Sequence, residues 1–203
     1  MKVIGLTGGI GSGKSFVAGV AEKYFPVLHV NTDEIARLQM KKGGISYQKT
    51  VDFFSAYSEK LLGEDGEIDR KVLSEIVLSD KKLLEKLNGI THPAVVDEVK
   101  NIIKREKEYK NHKAVLIETA LLYEAGIDSI CDEIWYVYAP DETRRKRLTL
   151  SRGYTKEKTD MFMSRQNSEE LFLRLADRTV PNGADVTEED MKKIISGYLN
   201  SED

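Results

Sequence analysis

The residues with the clearest chemical meaning form a glycine-rich segment near the amino terminus. Residues 8–15 read Gly-Gly-Ile-Gly-Ser-Gly-Lys-Ser and directly follow an apolar run over residues 3–7. Glycines let successive N–H groups turn inward around an anion, and a helix that follows directs its positive end at the same charge. The order strand, loop and helix predicts a nucleotide-binding P-loop, in which Lys14 reaches the β- and γ-phosphates and the Ser15 hydroxyl ligates Mg²⁺.

Two acids follow predicted strands and are candidates for catalysis and metal binding. Asp33 comes just after the second strand, where α/β proteins bind ligands, so it is a candidate general base. From position alone, Asp33 fits equally well as an N-cap of the helix predicted over residues 33–40, alone or with Thr32. Glu118 ends a buried strand and is a candidate Mg²⁺ ligand, although acids are common at strand ends.

A basic segment follows the fourth predicted strand. It contains seven cationic residues: Arg144, Arg145, Lys146, Arg147, Arg152, Lys156 and Lys158. Such a segment is typical of a lid that closes over a bound nucleotide, with Gly153 as a hinge between two helices. The alternative is a solvated helix face, which we expect for at least half of these residues. A nucleic-acid patch is a third interpretation, which the scarcity of interleaved aromatic residues disfavours.

Composition and charge limit the class of protein. The chain has 203 residues, 40% hydrophobic and 32% charged, with a formal net charge of -3. This length suits one α/β domain with an insertion, and the charge gives no general attraction to nucleic acid or anionic membrane. Cys131 is the only cysteine, which excludes an intrachain disulfide. With no secretory leader and no apolar run of membrane-spanning length, we expect a cytoplasmic protein that binds neither nucleic acid nor membrane.

Apolar runs alternate with helical patterns, which is typical of an α/β fold with a parallel sheet. Strands are predicted over residues 3–6, 27–30, 114–117 and 134–138. Helices are predicted over residues 15–24, 33–40, 47–57, 70–78, 93–109, 141–152 and 187–199. His92-Pro93 is expected to begin the fifth helix and Thr187 to cap the last, which should pack on the sheet. The long stretch between the second and third strands predicts an inserted helical subdomain.

Absent motifs narrow the reaction class. The sequence holds no Asn-Lys-x-Asp for guanine recognition, and none of its aspartates begins an Asp-x-x-Gly switch, so a regulatory GTPase is disfavoured. The chain is short for an ATP-driven motor, which leaves a compact phosphotransferase as the leading class. No His-x-x-His or Cys-x-x-Cys spacing occurs, so Mg²⁺ is the metal that we expect. His92, taken alone, is more typical of a structural histidine.

Several motifs together resemble the dephospho-CoA kinase family almost from end to end. They are residues 5–15, Asn31-Thr-Asp33-Glu-Ile-Ala-Arg37, His92-Pro93, Leu121-Leu122-Tyr123-Glu124, and Ala176-Asp177 followed by Asn182-Gly183. That family transfers the γ-phosphate of ATP to the 3′-hydroxyl of dephospho-CoA, the last step of coenzyme A synthesis. The resemblance implies a P-loop core over about 1–33, 112–141 and 177–203, a helical CoA-binding insertion over about 34–111 and a lid over about 142–176.

The resemblance also assigns roles to single residues, with ATP and Mg²⁺ as cofactors and dephospho-CoA as the partner substrate. The residues implied for ATP binding are Gly11, Ser12, Gly13, Lys14, Ser15 and Phe16, with Arg147 and Arg152 from the lid and Asn182 beside the adenine. Those implied for the acceptor are Asp33, Arg37, His92 and Glu124. Asp33 acts as the base and Lys14 assists the transfer, while Ser15 and Glu118 hold the metal. We expect a monomer.

Four positions depart from the family's pattern. Asn31 replaces an acid, Phe16 replaces a threonine, Ala120 replaces a proline, and Glu118 stands where aspartate is frequent. None removes the proposed base. We expect Phe16 to alter packing behind the loop and Asn31 to keep a hydrogen-bond acceptor without its charge.

Two alternatives stay open at this point. One is another P-loop kinase, which acts on a nucleoside monophosphate or another small alcohol. The other is a non-catalytic regulator that binds ATP and turns nothing over. The acceptor that supports ADP formation distinguishes them.

Overall fold

A five-stranded sheet forms the frame of the fold. The computed structural model describes residues 1–201, so the end of the predicted core segment 177–203 lies outside the described residues. The strands are β1 (Lys2–Thr7), β2 (Val27–Asn31), β3 (Ala114–Glu118), β4 (Glu133–Tyr138) and β5 (Arg178–Pro181). Their order is β2-β3-β1-β4-β5, with β1 parallel to both β3 and β4, and β4 parallel to β5. Parallel pairing brings the carboxyl ends of these strands to one edge.

Helices alternate with the strands along the chain. They are α1 (Lys14–Tyr24), α2 (Thr32–Gln39), α3 (Tyr47–Phe54), α4 (Arg70–Ser79), α5 (Lys81–Tyr109), α6 (Asp141–Arg152), α7 (Lys156–Ser164), α8 (Glu169–Leu175) and α9 (Glu188–Asn200). Short 3₁₀ turns occur at Ser55–Tyr57, Glu59–Leu61 and Asp128–Ile130. The predicted parallel α/β fold is confirmed. None of the helices within residues 1–201 combines the length and apolar composition that crossing a membrane requires.

The chain forms two compact units. The first contains residues 1–30 and the described residues from 103 onward. Its core packs the sheet against α1 and α9, with Leu6, Val17, Trp135, Met191 and Ile195 all buried. Burial of apolar surface on this scale is the main source of stability for a sheet that is covered by helices.

The second unit contains residues 31–102 and has its own core. Phe54, Leu61, Ile68, Leu73 and Val77 are buried there and draw in partly buried side chains from α3 and α5. The unit is helical, apart from a single antiparallel bridge between residues 62 and 68. The assignment of residues 34–111 to CoA binding stays a prediction.

Helix α5 differs from the prediction that a helix begins at His92-Pro93. It runs unbroken over Lys81–Tyr109 with Pro93 inside it, so the predicted start is wrong. A proline within a helix costs about 3 kcal/mol, because it removes a hydrogen bond and crowds the preceding turn. Apolar residues on both sides outweigh this cost: Leu87 packs on the second core and Val99 is fully buried. Upstream, the Asp80 carboxylate accepts from the N–H of Lys82 and starts the helix earlier.

The last helix begins as the sequence predicts. The Thr187 hydroxyl accepts from the N–H of Asp190 at 3.2 Å, and the Asp190 carboxylate accepts from the N–H of Thr187 at 3.1 Å. This reciprocal capping box satisfies two N–H groups at the helix start. Met191 and Ile195 then lie in the core of the first unit, which confirms the predicted packing of α9 on the sheet.

Thr187→Ala should therefore destabilise the first unit without changing its fold. Loss of an N-cap hydroxyl typically lowers the free energy of unfolding by about 1 kcal/mol. Urea denaturation followed by circular dichroism measures the change, with Lys193→Ala on the exposed side of the same helix as the control. Equal stability of the two variants would contradict a role for the cap.

Candidate active site

The P-loop has a backbone that only glycine adopts without strain. Gly8, Gly11 and Gly13 have φ angles of 151°, 78° and 92°. There is also no room for a side chain: a Cβ at Gly8 would lie 2.6 Å from the Val137 carbonyl oxygen, and one at Gly11 would lie 2.9 Å from the Arg144 carbonyl oxygen. The loop is therefore pressed against the end of β4 and the start of α6, and the predicted role of its glycines has a steric basis.

Two side chains hold the carbonyl of Ser12. The Asn182 amide donates to it at 2.7 Å, and the Arg147 guanidinium donates to it at 3.2 Å and to the Gly183 carbonyl at 3.0 Å. In a trans peptide the C=O and N–H point in opposite directions, so the N–H of Gly13 faces away from these donors. Asn182 and Arg147, both singled out from the sequence, thus contact the loop itself and fix the orientation of its Ser12–Gly13 peptide.

Ile10 is held by two residues that the sequence did not distinguish. Arg144 Nε donates to the Ile10 carbonyl at 2.9 Å, and the Gln166 carbonyl oxygen accepts from the Ile10 N–H at 2.8 Å. Arg144 also donates to Gln166 at 3.1 Å, so the two residues that hold Ile10 are hydrogen-bonded to each other. Arg144 appeared as one of seven cations in a basic segment, and no motif marks Gln166. Only the folded chain brings them to the loop.

Three more cations of that segment lie away from the loop contacts described so far. Arg145 pairs with Asp160 of the next helix, and the Lys158 ammonium lies 4.3 Å from the Tyr154 ring centroid. Arg152 is exposed at the end of α6. Gly153 then ends that helix in a left-handed conformation, with φ of 61°. That Gly153 acts as a hinge stays a prediction, and so does contact between Arg152 and phosphate.

A buried carboxylate lies beside the start of α1. Glu118, at the end of β3, accepts a hydrogen bond from the Ser15 hydroxyl at 2.6 Å through Oε1. Its other oxygen lies 2.9 Å from His29 Nε2 on β2. Burial raises the pKa of Glu118, but hydrogen bonds from His29 and Ser15 and the charges of His29 and Lys14 outweigh it and lower this pKa below its ordinary value. The carboxylate is ionised at neutral pH.

Ser15 and Glu118 have the chemistry that Mg²⁺ requires. Magnesium prefers oxygen ligands and is usually held by one or two protein groups, with waters and substrate phosphates completing its shell. A hydroxyl and an ionised carboxylate that already lie together fit this pattern. Across residues 1–201 no cluster of three or more histidine, cysteine or acidic side chains offers a self-sufficient metal site. His29 was not identified from the sequence, although a histidine within an apolar strand run was a usable signal.

Lys14 bends back over the loop. Its ammonium donates to the Gly8 carbonyl at 2.8 Å and lies 3.4 Å from that of Gly9. Phe16, in the first turn of α1, is 38% exposed, so the expectation that it alters packing behind the loop is wrong. The reason is helical geometry: the buried face of α1 is carried by Val17, Ala18 and Ala21, and position 16 lies off that face.

Asp33 and Arg37 lie on α2, in the second unit. Asn31 caps this helix, because its side-chain oxygen accepts from the N–H of Asp33 at 3.0 Å and from that of Glu34 at 3.1 Å. The alternative that Asp33 or Thr32 is the cap is therefore wrong. The Asp33 carboxylate is exposed in the first turn, and Arg37 pairs with Glu34 at 2.9 Å.

A cleft of about 280 Å³ lies next to Arg37 in the second unit. Its lining combines three cations, one acid and three apolar side chains: Arg37, Lys41, Arg70, Glu67, Met40, Ile68 and Leu73. The Glu67 carboxylate also accepts from the N–H of Lys42 at 3.1 Å. Sequence reasoning identified only Arg37 of this set. Lys41 and Arg70 are 29 positions apart, and no motif links them.

The other predicted substrate residues occupy two separate places. Glu124, in the first unit, accepts from the Asn167 amide at 2.9 Å. His92 is half-buried within α5 of the second unit.

Asn182 directly follows β5. The sequence analysis did not predict this strand, because only one of its four residues is buried and it has no apolar run.

Comparisons with known proteins agree with this geometry. A family model for dephospho-CoA kinase matches residues 2–196. The curated dephospho-CoA kinase of Fusobacterium nucleatum is 38% identical over 98% of this chain and 97% of its own, and that of Moorella thermoacetica is 35% identical over 92% and 86%. The solved dephospho-CoA kinase of Campylobacter jejuni superimposes with a TM-score of 0.71 at 25% identity, covering 97% and 96% of the two chains. The chain therefore belongs to the dephospho-CoA kinase family.

Proposed function

We propose that this protein transfers the γ-phosphate of ATP to the ribose 3′-hydroxyl of dephospho-CoA, which yields coenzyme A and ADP. The observation that carries the proposal is the P-loop, with Lys14 folded over it and Ser15 hydrogen-bonded to Glu118, in a chain of this family. The family match disfavours a kinase for another small molecule and a regulator without turnover. A single cysteine supports a cytoplasmic location, and a net charge of -3 supports a protein that binds neither nucleic acid nor membrane. We also propose a monomer.

The nucleotide site belongs to the first unit. Backbone N–H groups of residues 11–16 and the Lys14 ammonium bind the ATP phosphates, and Arg147 and Asn182 keep the loop in shape. Arg152 adds charge from the lid and Phe16 borders the site. Ser15 and Glu118 would hold Mg²⁺, which neutralises phosphate charge and orients the transferred group when it is bound.

Asp33 is the proposed general base. It accepts the proton of the 3′-hydroxyl as that oxygen attacks the γ-phosphorus, and the bond to the ADP oxygen breaks. Support comes from the cap of α2: since Asn31 supplies it, the exposed Asp33 carboxylate is not consumed by a structural role. Positioning and electrostatics supply most of the acceleration in such transfers.

The second unit is the proposed binding region for the acceptor. Dephospho-CoA joins an adenosine through a diphosphate to a pantetheine arm, so it needs cations for the diphosphate and apolar surface for the arm. The cleft lined by Arg37, Lys41 and Arg70 offers both, because Met40, Ile68 and Leu73 line it as well. His92 and Glu124 complete the set of residues that we propose for the acceptor.

An acceptor panel tests the proposed reaction directly. The protein is incubated with Mg-ATP and, separately, with dephospho-CoA, nucleoside monophosphates, shikimate or no acceptor, and ADP formation is followed. We expect turnover with dephospho-CoA alone. Faster turnover with another acceptor, or none in any tube, would refute the proposal.

Asp33→Asn tests the base. A positioned general base contributes about 10²- to 10⁴-fold, so kcat should fall by about that factor while ATP binding stays close to that of the wild type. Steady-state kinetics and an ATP titration measure the two effects. Asp52→Asn, an exposed aspartate on α3, is the control. A wild-type kcat for Asp33→Asn would remove this residue from the mechanism.

Arg70→Ala tests the cleft. A charge-assisted hydrogen bond to phosphate is worth about 1.5–3 kcal/mol, so the KM for dephospho-CoA should rise about 10-fold or more. The KM for ATP should not change. Lys71→Ala removes the same charge one position along, from a side chain that does not line the cleft, and should leave both constants as they are. Equal effects of the two substitutions would argue against a site in the cleft.

A further inference from the structure

His29, which the sequence analysis did not single out, lies in an unusual place for a histidine. It lies in the middle of β2, next to β3 in the sheet, and its side chain is 18% exposed. Its Nε2 is 2.9 Å from Oε2 of Glu118, whose side chain is 8% exposed. The partner is thus the carboxylate that also receives the Ser15 hydroxyl.

The direction of this hydrogen bond follows from the state of the carboxylate. A glutamate carboxylate with ordinary acidity is ionised at neutral pH and can only accept, and its Oε1 already receives the Ser15 hydroxyl. His29 therefore carries a proton on Nε2 and donates it. Ser15 donates to Oε1 in the same way, so each carboxylate oxygen has its own donor.

Two donors on opposite oxygens restrict a side chain that is otherwise free to rotate. A glutamate has one more rotatable bond than an aspartate, so its carboxylate needs more restraint to stay beside Ser15. Groups that hydrogen-bond a metal-ligating carboxylate orient it, and their loss typically costs 10- to 100-fold in metal affinity or activity. The His29 contact has the geometry for this role.

We propose that His29 is a positioning residue that holds the Glu118 carboxylate on the Ser15 hydroxyl, and that it thereby sets the affinity of the P-loop for magnesium-bound nucleotide. This rests on the proposed function, which takes Ser15 and Glu118 as the protein's magnesium ligands. His29 acts only through Glu118 and has no contact with the reacting atoms in this proposal.

The experiment compares His29→Leu with His29→Gln. Affinity for a fluorescent ribose-labelled ADP is titrated with excess Mg²⁺ and again in EDTA, which separates metal-dependent binding from binding to the loop alone. In His29→Leu we expect affinity with Mg²⁺ to fall about 10-fold and affinity in EDTA to match the wild type. The amide nitrogen of Gln replaces Nε2 as a donor, so His29→Gln should restore most of the loss.

His112 provides a matched control. Its Nδ1 lies 3.0 Å from Glu106 Oε1, a second histidine–glutamate contact in the same unit, located after α5 and before the amino end of β3. His112→Leu should leave the Mg²⁺ dependence of ADP affinity unchanged. Melting temperatures of all variants report any loss of stability.

Four results would overturn the proposal. Wild-type affinity of His29→Leu with Mg²⁺ would show that the contact positions nothing of consequence, and an equal loss in EDTA would show that His29 supports the loop or the fold instead. If wild-type protein itself gained no affinity from Mg²⁺, the magnesium pair would fail and the inference with it. If His29→Leu does not fold, His29→Asn, whose amide is too short to reach Glu118, takes its place, and equal affinities of the Asn and Gln variants count against the proposal.

Discussion

The close packing of three glycines against β4, α6 and Asn182 is the constraint on which the rest of the structure depends. Gly8, Gly11 and Gly13 adopt positive φ angles where a side chain would strike the backbone of β4, that of α6, or the Asn182 amide. The loop is therefore held on several sides by elements distant in sequence. A loop that carries fixed N–H groups in this way needs no reorganisation to receive phosphate, which is the condition for electrostatic stabilisation of a transferring group.

The charged side chains around this loop are compensated by groups that lie next to them, and the net charge of the chain does not describe this local balance. Lys14, Arg144 and Arg147 approach the loop carbonyls, while Glu118 lies buried beside the start of α1. An ionised carboxylate in such a place is costly unless it is hydrogen-bonded, and Ser15 and His29 supply that compensation. The slightly negative net charge of the protein thus says nothing about a site that is built to bind a highly anionic substrate.

Local patterns predicted most of the secondary structure, and their failures share a cause. Four strands, the P-loop, the α1 helix and the Thr187 cap all lie close to where their apolar runs and capping residues indicate. The helix start predicted at Pro93 was wrong, because burial of Leu87 and Val99 outweighs the helix-breaking effect of this proline. The sequence analysis missed β5, because this edge strand of four residues is specified by its pairing with β4 and not by a hydrophobic pattern of its own. Tertiary packing overrode a local signal at Pro93 and supplied what the local sequence of β5 lacked.

The sequence alone determined the chemistry of the contiguous motif, since Lys14 and Ser15 carry their roles at a fixed spacing within one loop and one helix start. It also placed an acid at Glu118 and cations after β4. Tertiary structure decided which of these groups meet: Ser15 contacts Glu118 across 103 positions and Asn182 contacts Ser12 across 170. It also brought Arg144 and Gln166 into contact with the loop and His29 into contact with Glu118. In the second unit it placed Lys41 and Arg70 in the lining of one cleft. Contacts of this range arise from the register and packing of whole elements, a property that residue spacing along one chain does not express.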